Sequence, residues 1–256
     1  MIGLLGNIAR DLMPGQPPRV GGAPYHCARA LTRVGTQARI FARCAAADRA
    51  ELLPPIVSLG TPVRYVEGAS TASFEISYDG DHRFMNVVAI GDTWLPEEVP
   101  ALPDETSWVH VAPLARSDFP AETLAAIARG RRLSLDGQGL VRPSRVGELV
   151  LDADFDPEVL RHVWTLKLND EEAEVIGGVD RLGVPELLLT HGSLGATIHW
   201  GGRSELIRTF DVGTDPTGAG DAFCIAYIAA RAGGFGPVGA ARRATSVVAS
   251  VLAGEQ

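Results

Sequence analysis

The chain has 256 residues, 46% hydrophobic and 21% charged, so it can bury a sizeable core without disulfide or metal staples. Its formal net charge of −8 argues against the concentrated basic face that nucleic acid or an anionic membrane requires. A local anion site stays open, because backbone N–H groups can hold a phosphate whatever the global sign.

Residues 2–5 form a continuous apolar run broken by turn residues, the pattern of a strand buried on both faces of a parallel sheet. A Pro/Gly-rich loop follows at residues 13–18. Gly21-Gly22 then opens a helix predicted over residues 25–34, and residues 37–42 read as the next strand. Residues 61–90 change character. Segments 63–66, 73–78 and 82–87 alternate polar and apolar side chains, with Asp79-Gly80 as a hairpin turn between the last two. That pattern predicts a small antiparallel sheet projecting from the main body. The α/β rhythm returns with strands at 108–111, 133–135, 165–168 and 186–190. Helices are predicted over 120–129, from Asn169, over 220–232 and over 238–252. Together these predict an α/β fold, a mainly parallel sheet with helices on both faces.

The strongest chemical signal is Asp215-Pro216-Thr217-Gly218-Ala219-Gly220-Asp221-Ala222-Phe223. Gly218 and Gly220 let the backbone turn sharply, so successive N–H groups can point into one concavity. An apolar helix begins directly afterwards, and its free N–H groups and positive dipole end meet the same place. Asp221 is the carboxylate there, either an ordinary helix-capping aspartate or a base beside a bound anion. The whole string resembles the C-terminal signature of the ribokinase-like (PfkB) carbohydrate kinases.

The resemblance runs through nearly the whole chain in the family's order. It implies a single ribokinase-like kinase domain over residues 1–256, with a small β-sheet lid, formed mainly by residues 61–90, that closes over the substrate. It further implies that the N–H groups of Ala219, Gly220 and Asp221, in the catalytic turn opened by Gly218, form an anion hole for the transferring phosphate, and that Asp221 takes the proton from the attacking hydroxyl. Gly6-Asn7-Ile8-Ala9-Arg10-Asp11 resembles the family's opening loop, which makes Asp11 a ligand of substrate hydroxyls. Gly21-Gly22-Ala23-Pro24-Tyr25-His26 resembles the first family signature, placing Gly21, Gly22 and His26 at the substrate. Asn169-Asp170-Glu171-Glu172 matches the family's N-x-x-E motif, so Asn169 would serve phosphate and Glu172 a Mg²⁺ ion through water. By itself the same segment is a capped helix start. Thr190 and Gly192, in a loop similar to the family's phosphate loop, and Thr217 complete the implied ATP contacts. A monovalent cation near Asp215 and pairing of two copies through the lid are further implications. Leu135-Asp136-Gly137-Gln138-Gly139-Leu140-Val141-Arg142, the Asp-Pro opening of the cradle and Leu166-Lys167 are similar to a subgroup containing inositol 3-kinases.

Two positions depart from the family. Ala9 and His26 stand where asparagines contact the sugar in ribokinases, which turns the expected acceptor away from plain ribose. Gly234-Phe235-Gly236-Pro237-Val238-Gly239 fits G-x-G-x-x-G literally but follows a helix, so it reads as an inter-helix loop and not as a dinucleotide site. Cys27, Cys44 and Cys224 include no C-x-x-C pair and read as reduced thiols of a cytoplasmic protein, and the N-terminus lacks the pattern of a signal peptide. The expected function is therefore ATP- and Mg²⁺-dependent phosphotransfer to a hydroxyl of a small sugar, polyol or nucleoside. The alternative is a non-catalytic ligand-binding or regulatory protein that keeps the kinase fold.

Overall fold

The computed structural model describes residues 1–79, 82–209 and 217–253. Gly80 of the hairpin turn lies outside the described residues. So do Thr214, Asp215 and Pro216, and with Asp215 the expected cation site.

Strands β1 (Ile2–Asn7), β2 (Ala9–Leu12) and β3 (Arg19–Gly21) precede helix α1 (Ala23–Leu31). Then come β4 (Ala38–Ala45), α2 (Arg49–Val57), β5 (Val63–Gly68), β6 (Ala72–Asp79), β7 (His82–Ala89), β8 (Trp108–Ala112) and α3 (Ala121–Ile127). The second half runs β9 (Arg132–Asp136), α4 (Gln138–Val141), β10 (Gly147–Glu148), β11 (Val163–Asn169), α5 (Asp170–Ile176), β12 (Glu186–Thr190), β13 (Ala196–Trp200), β14 (Arg203–Ile207), α6 (Ala219–Ala232) and α7 (Pro237–Ala253).

The main sheet has the order β14-β13-β12-β11-β9-β8-β1-β4-β5. From β12 to β5 every pairing is parallel, and β13 and β14 extend one edge antiparallel. Because strand side chains alternate, the two faces carry separate cores. Leu5, Val109, Val111, Leu133, Leu135, Leu166 and Leu168 belong to one core. Ile2, Leu4, Ile40 and Trp108 pack on the other face with the buried sides of α1, α6 and α7. Chain connections diverge between β1 and β8, the crevice where open α/β sheets place their ligands.

A second sheet has the order β10-β7-β6-β2-β3. Segment 63–66, read from sequence as part of this small sheet, instead lies in β5, the outer parallel strand of the main sheet beside β4. An edge strand with one face exposed shows the same polar–apolar alternation as a half-buried antiparallel one, which explains the misreading. The small sheet takes in β2 and β3 instead, with β2 lying parallel to β6. Its inner face, with Phe74 and Ile76, packs with Leu114 from the loop after β8.

Candidate active site

Helix α6 begins at Gly218, whose left-handed conformation (φ 80°) turns the chain into the helix. Gly218 is the N-cap, so Asp221 sits at the third helical position and makes no side-chain cap, contrary to its reading as a capping aspartate. Ala219, Gly220 and Asp221 occupy the first turn, where N–H groups have no carbonyl to bond within the helix. Asp221 Oδ1 is buried with no hydrogen-bond partner among the described residues. Burial, and then the Asp136 carboxylate, push the Asp221 carboxyl up to about 7, against the opposite pull of Lys167 and Arg142. A carboxylate poised near neutrality beside N–H groups that have no carbonyl partner within the helix is suited to accept a proton next to an anion.

In front of this turn lies a cavity of about 90 Å³. Asp11, Gly22 and His26 line it from the expected substrate side, and Thr217, Gly218 and Asp221 from the cradle side. Gly21 is not part of the wall. A Cβ on Gly21 would overlap the Asp11 carboxylate, so this glycine makes room for Asp11. His26 is buried, lines the cavity and packs its ring against Gly218. The small sheet contributes Phe74 and Met85, and Ala9 and Leu114 complete an apolar side.

Asn169, Glu172, Thr190 and Gly192 lie outside this cavity. Asn169 caps α5 by accepting from Glu172 N (2.7 Å), and the Glu172 carboxylate accepts from Asn169 N (2.8 Å). This reciprocal capping box is real whatever else the motif does. Thr190, opposite Asn169 in the sheet, donates its hydroxyl to Leu168 O (3.2 Å). His191 ties the two segments, with Nδ1 2.6 Å from Asp170 Oδ1 and Nε2 2.8 Å from Thr197 Oγ1. No group of three or more His, Cys, Asp or Glu side chains that could cage a metal occurs among the described residues. An ion at Glu172 would therefore have to be met through water. The Glu172 side chain is buried, with Oε2 engaged by Asn169 N and 3.7 Å from Lys167 Nζ.

Several neighbours of Asp221 escaped the sequence reading of the site. Gln138 and Arg142 line the cavity from α4 and the residue that ends it. Gln138 Nε2 donates to Pro113 O (2.8 Å) and Gln138 N to Asp136 Oδ1 (3.1 Å). Beneath α6 the sheet presents a buried polar row: His110, Ser134, Asp136, Thr165 and Lys167. Burial pushes His110 down to about 4, so its imidazole is neutral, and its Nδ1 lies 3.2 Å from Ser134 Oγ. The available signal was parity, since each of these residues interrupts an apolar strand at every second position.

No family model matches the sequence, and no curated protein matches it significantly. Solved structures do match. A pyrophosphate-dependent kinase in the ribokinase family, complexed with a pyrophosphate analog and myo-inositol, is similar at TM-score 0.83 and 21% identity, over 98% of this chain and 95% of that one. The Burkholderia thailandensis nucleoside kinase in complex with inosine is similar at TM-score 0.77 and 23% identity, over 98% and 90%. Ribokinase from Thermotoga maritima is similar at TM-score 0.71 and 19% identity, over 98% and 93%. The two-sheet architecture built around the α6 N-terminus is therefore the ribokinase fold.

Proposed function

We propose that this chain is a kinase that transfers a phosphoryl group from a phosphoanhydride donor to a hydroxyl of a small sugar, polyol or nucleoside. One observation carries the reading: Asp221 Oδ1, without a hydrogen-bond partner among the described residues, and the first turn of α6 adjoin one cavity, with Asp11 also in its wall. The acceptor hydroxyl lies against Asp221, which withdraws its proton as the oxygen attacks. The N–H groups of Ala219, Gly220 and Asp221 take the charge of the moving phosphate, and Asp11, His26, Gln138 and Arg142 orient the acceptor. Asn169, Thr190, Gly192 and Thr217 hold the donor phosphates. Mg²⁺, held through water at Glu172, would neutralise donor charge.

The donor reading begins with ATP, and the likeness to a pyrophosphate-dependent kinase puts pyrophosphate beside it. The test supplies each donor with a panel of polyols, sugars and nucleosides, following ADP or orthophosphate release. Turnover with one pair, abolished in Asp221→Asn, supports the kinase. Tight binding of a panel member without release from either donor would instead support the ligand-binding alternative that Ala9 and His26 motivate.

A further inference from the structure

Lys167 is the only lysine in the chain, and the reaction as described leaves it without a role. It sits in β11 between Leu166 and Leu168, both committed to the opposite core, so strand parity turns Lys167 toward α6. Its Nζ lies 3.4 Å from Asp136 Oδ1 and 3.7 Å from Glu172 Oε2, with the side chain 8% exposed. A Cβ placed on Gly220 would stand 3.4 Å from both Cε and Nζ. The ammonium therefore lies immediately behind the cradle backbone, and both ion contacts are long for charge-assisted hydrogen bonds.

Its charge matters because of what surrounds it. Asp136 and Glu172 lie with Lys167 behind the α6 turn, and Asp221 lies in the turn itself, so three carboxyl groups share its neighbourhood. The helix end supplies only about half a positive charge. The ammonium faces Asp136 and Glu172 across two ion contacts, with Gly220 of the cradle beside it. Arg142 stands in the cavity wall, whereas Lys167 is the cation placed against Asp136 and Glu172 behind the turn.

We propose that Lys167 is the fixed counter-charge of the phosphate site. It is a positioning residue whose ammonium, acting through Gly220 and Asp221, keeps the α6 N-terminus receptive to a phosphate amid three carboxyl groups. This deepens the phosphate-site reading and rests on it. A lysine needed only to offset buried acid for folding would be replaceable by removing the acid with it. A counter-charge for the ligand would not.

The experiment measures binding of inorganic pyrophosphate and of MgATP by calorimetry in wild type, Asp136→Asn, Lys167→Met and the double variant Lys167→Met/Asp136→Asn. Because there is one lysine, ¹³Cε-lysine labelling gives a single resonance that reports its surroundings directly. Wild type should bind at least one probe, with the resonance shifting on saturation. Asp136→Asn should bind as tightly or more tightly. The double variant, folded by thermal melt, should bind at least about tenfold more weakly. Binding by the double variant within about threefold of wild type, or an unmoved resonance at saturation, overturns the proposal. If the Lys167 variants do not fold, weaker binding by Asp136→Asn overturns it as well. Wild type binding neither probe is a separate outcome, which removes the phosphate-site reading itself and this inference with it.

Discussion

The imidazole of His26 packs against the α-carbon of Gly218, so closely that a Cβ there would overlap Nδ1 and the ring. One contact joins α1 to the N-cap of α6, which places the expected substrate-side helix and the cradle in a fixed relation. Gly218→Ala meets two penalties, a left-handed φ of 80° and this overlap. We expect a loss of about 2–4 kcal/mol, seen as a melting temperature lower by roughly 5–15 °C. Turnover should fall about 100-fold or more as the first turn of α6 is displaced. A variant with wild-type kcat would show that this turn does not need its observed position.

The acidity of Asp221 sets two pH effects of opposite sense. As base it must be ionised, so kcat/KM should rise with pH through about 7 and be lost on the acid side. For stability the sign reverses. The folded-state value is raised from 3.8, so the folded chain holds an extra proton between the two values. That contribution is whole below about 4 and is lost as pH rises through 7. Asp118, buried and also pushed up to about 7, acts in the same sense. Asp221→Asn should therefore lose turnover by about 1,000-fold while melting a few degrees higher than wild type at pH 8, with little gain at pH 4. Equal melting shifts at both pH values would show that the Asp221 carboxyl is not raised.

Much of this arrangement was legible in the chain. Segment 186–190 was read with its observed bounds, and the Asn169–Glu172 capping box and the position of α6 were clear from local pattern. The polar–apolar alternation of 63–66 could not show which sheet it joins, because an exposed edge of a parallel sheet alternates too. The pairing of Ala9 with Ala72 joins residues far apart in sequence and leaves no local trace. The β13–β14 hairpin did leave one. Gly201 and Gly202, both at positive φ, make a two-residue turn of the kind hairpins favour. Gln138 and Arg142 reach the cavity only through the tertiary fold.

Arg142 lines the cavity with Asp221 and lowers the Asp221 carboxyl, while Asn169 and Thr190 lie elsewhere. Arg142→Met should raise the acceptor KM about tenfold or more and leave the donor KM within about twofold. Initial-rate kinetics varying each substrate would test this. A change confined to the donor would move Arg142 to the phosphate side.

Far from the cavity, Glu186 at the start of β12 accepts from Tyr227 Oη (2.7 Å), Thr165 Oγ1 and Trp164 Nε1 (both 3.3 Å) and Arg231 Nε (3.2 Å). This network ties α6 to the sheet about two to three turns beyond Asp221. Tyr227→Phe should destabilise by about 1–3 kcal/mol, measured by denaturant unfolding. Glu186→Ala strands Arg231 and should lose about 3–5 kcal/mol. Neither change should alter the pH midpoint of turnover.

Asp11 belongs to a strand of the small sheet, whereas Asp221 belongs to a helix on the large one. On the proposed reading, a molecule held by both carboxylates would be a strut between the two sheets, and its length would matter. Fragments that reach only one carboxylate would fill space without joining the sheets. Such an arrangement would tell a whole acceptor from a piece of one before any phosphate moves.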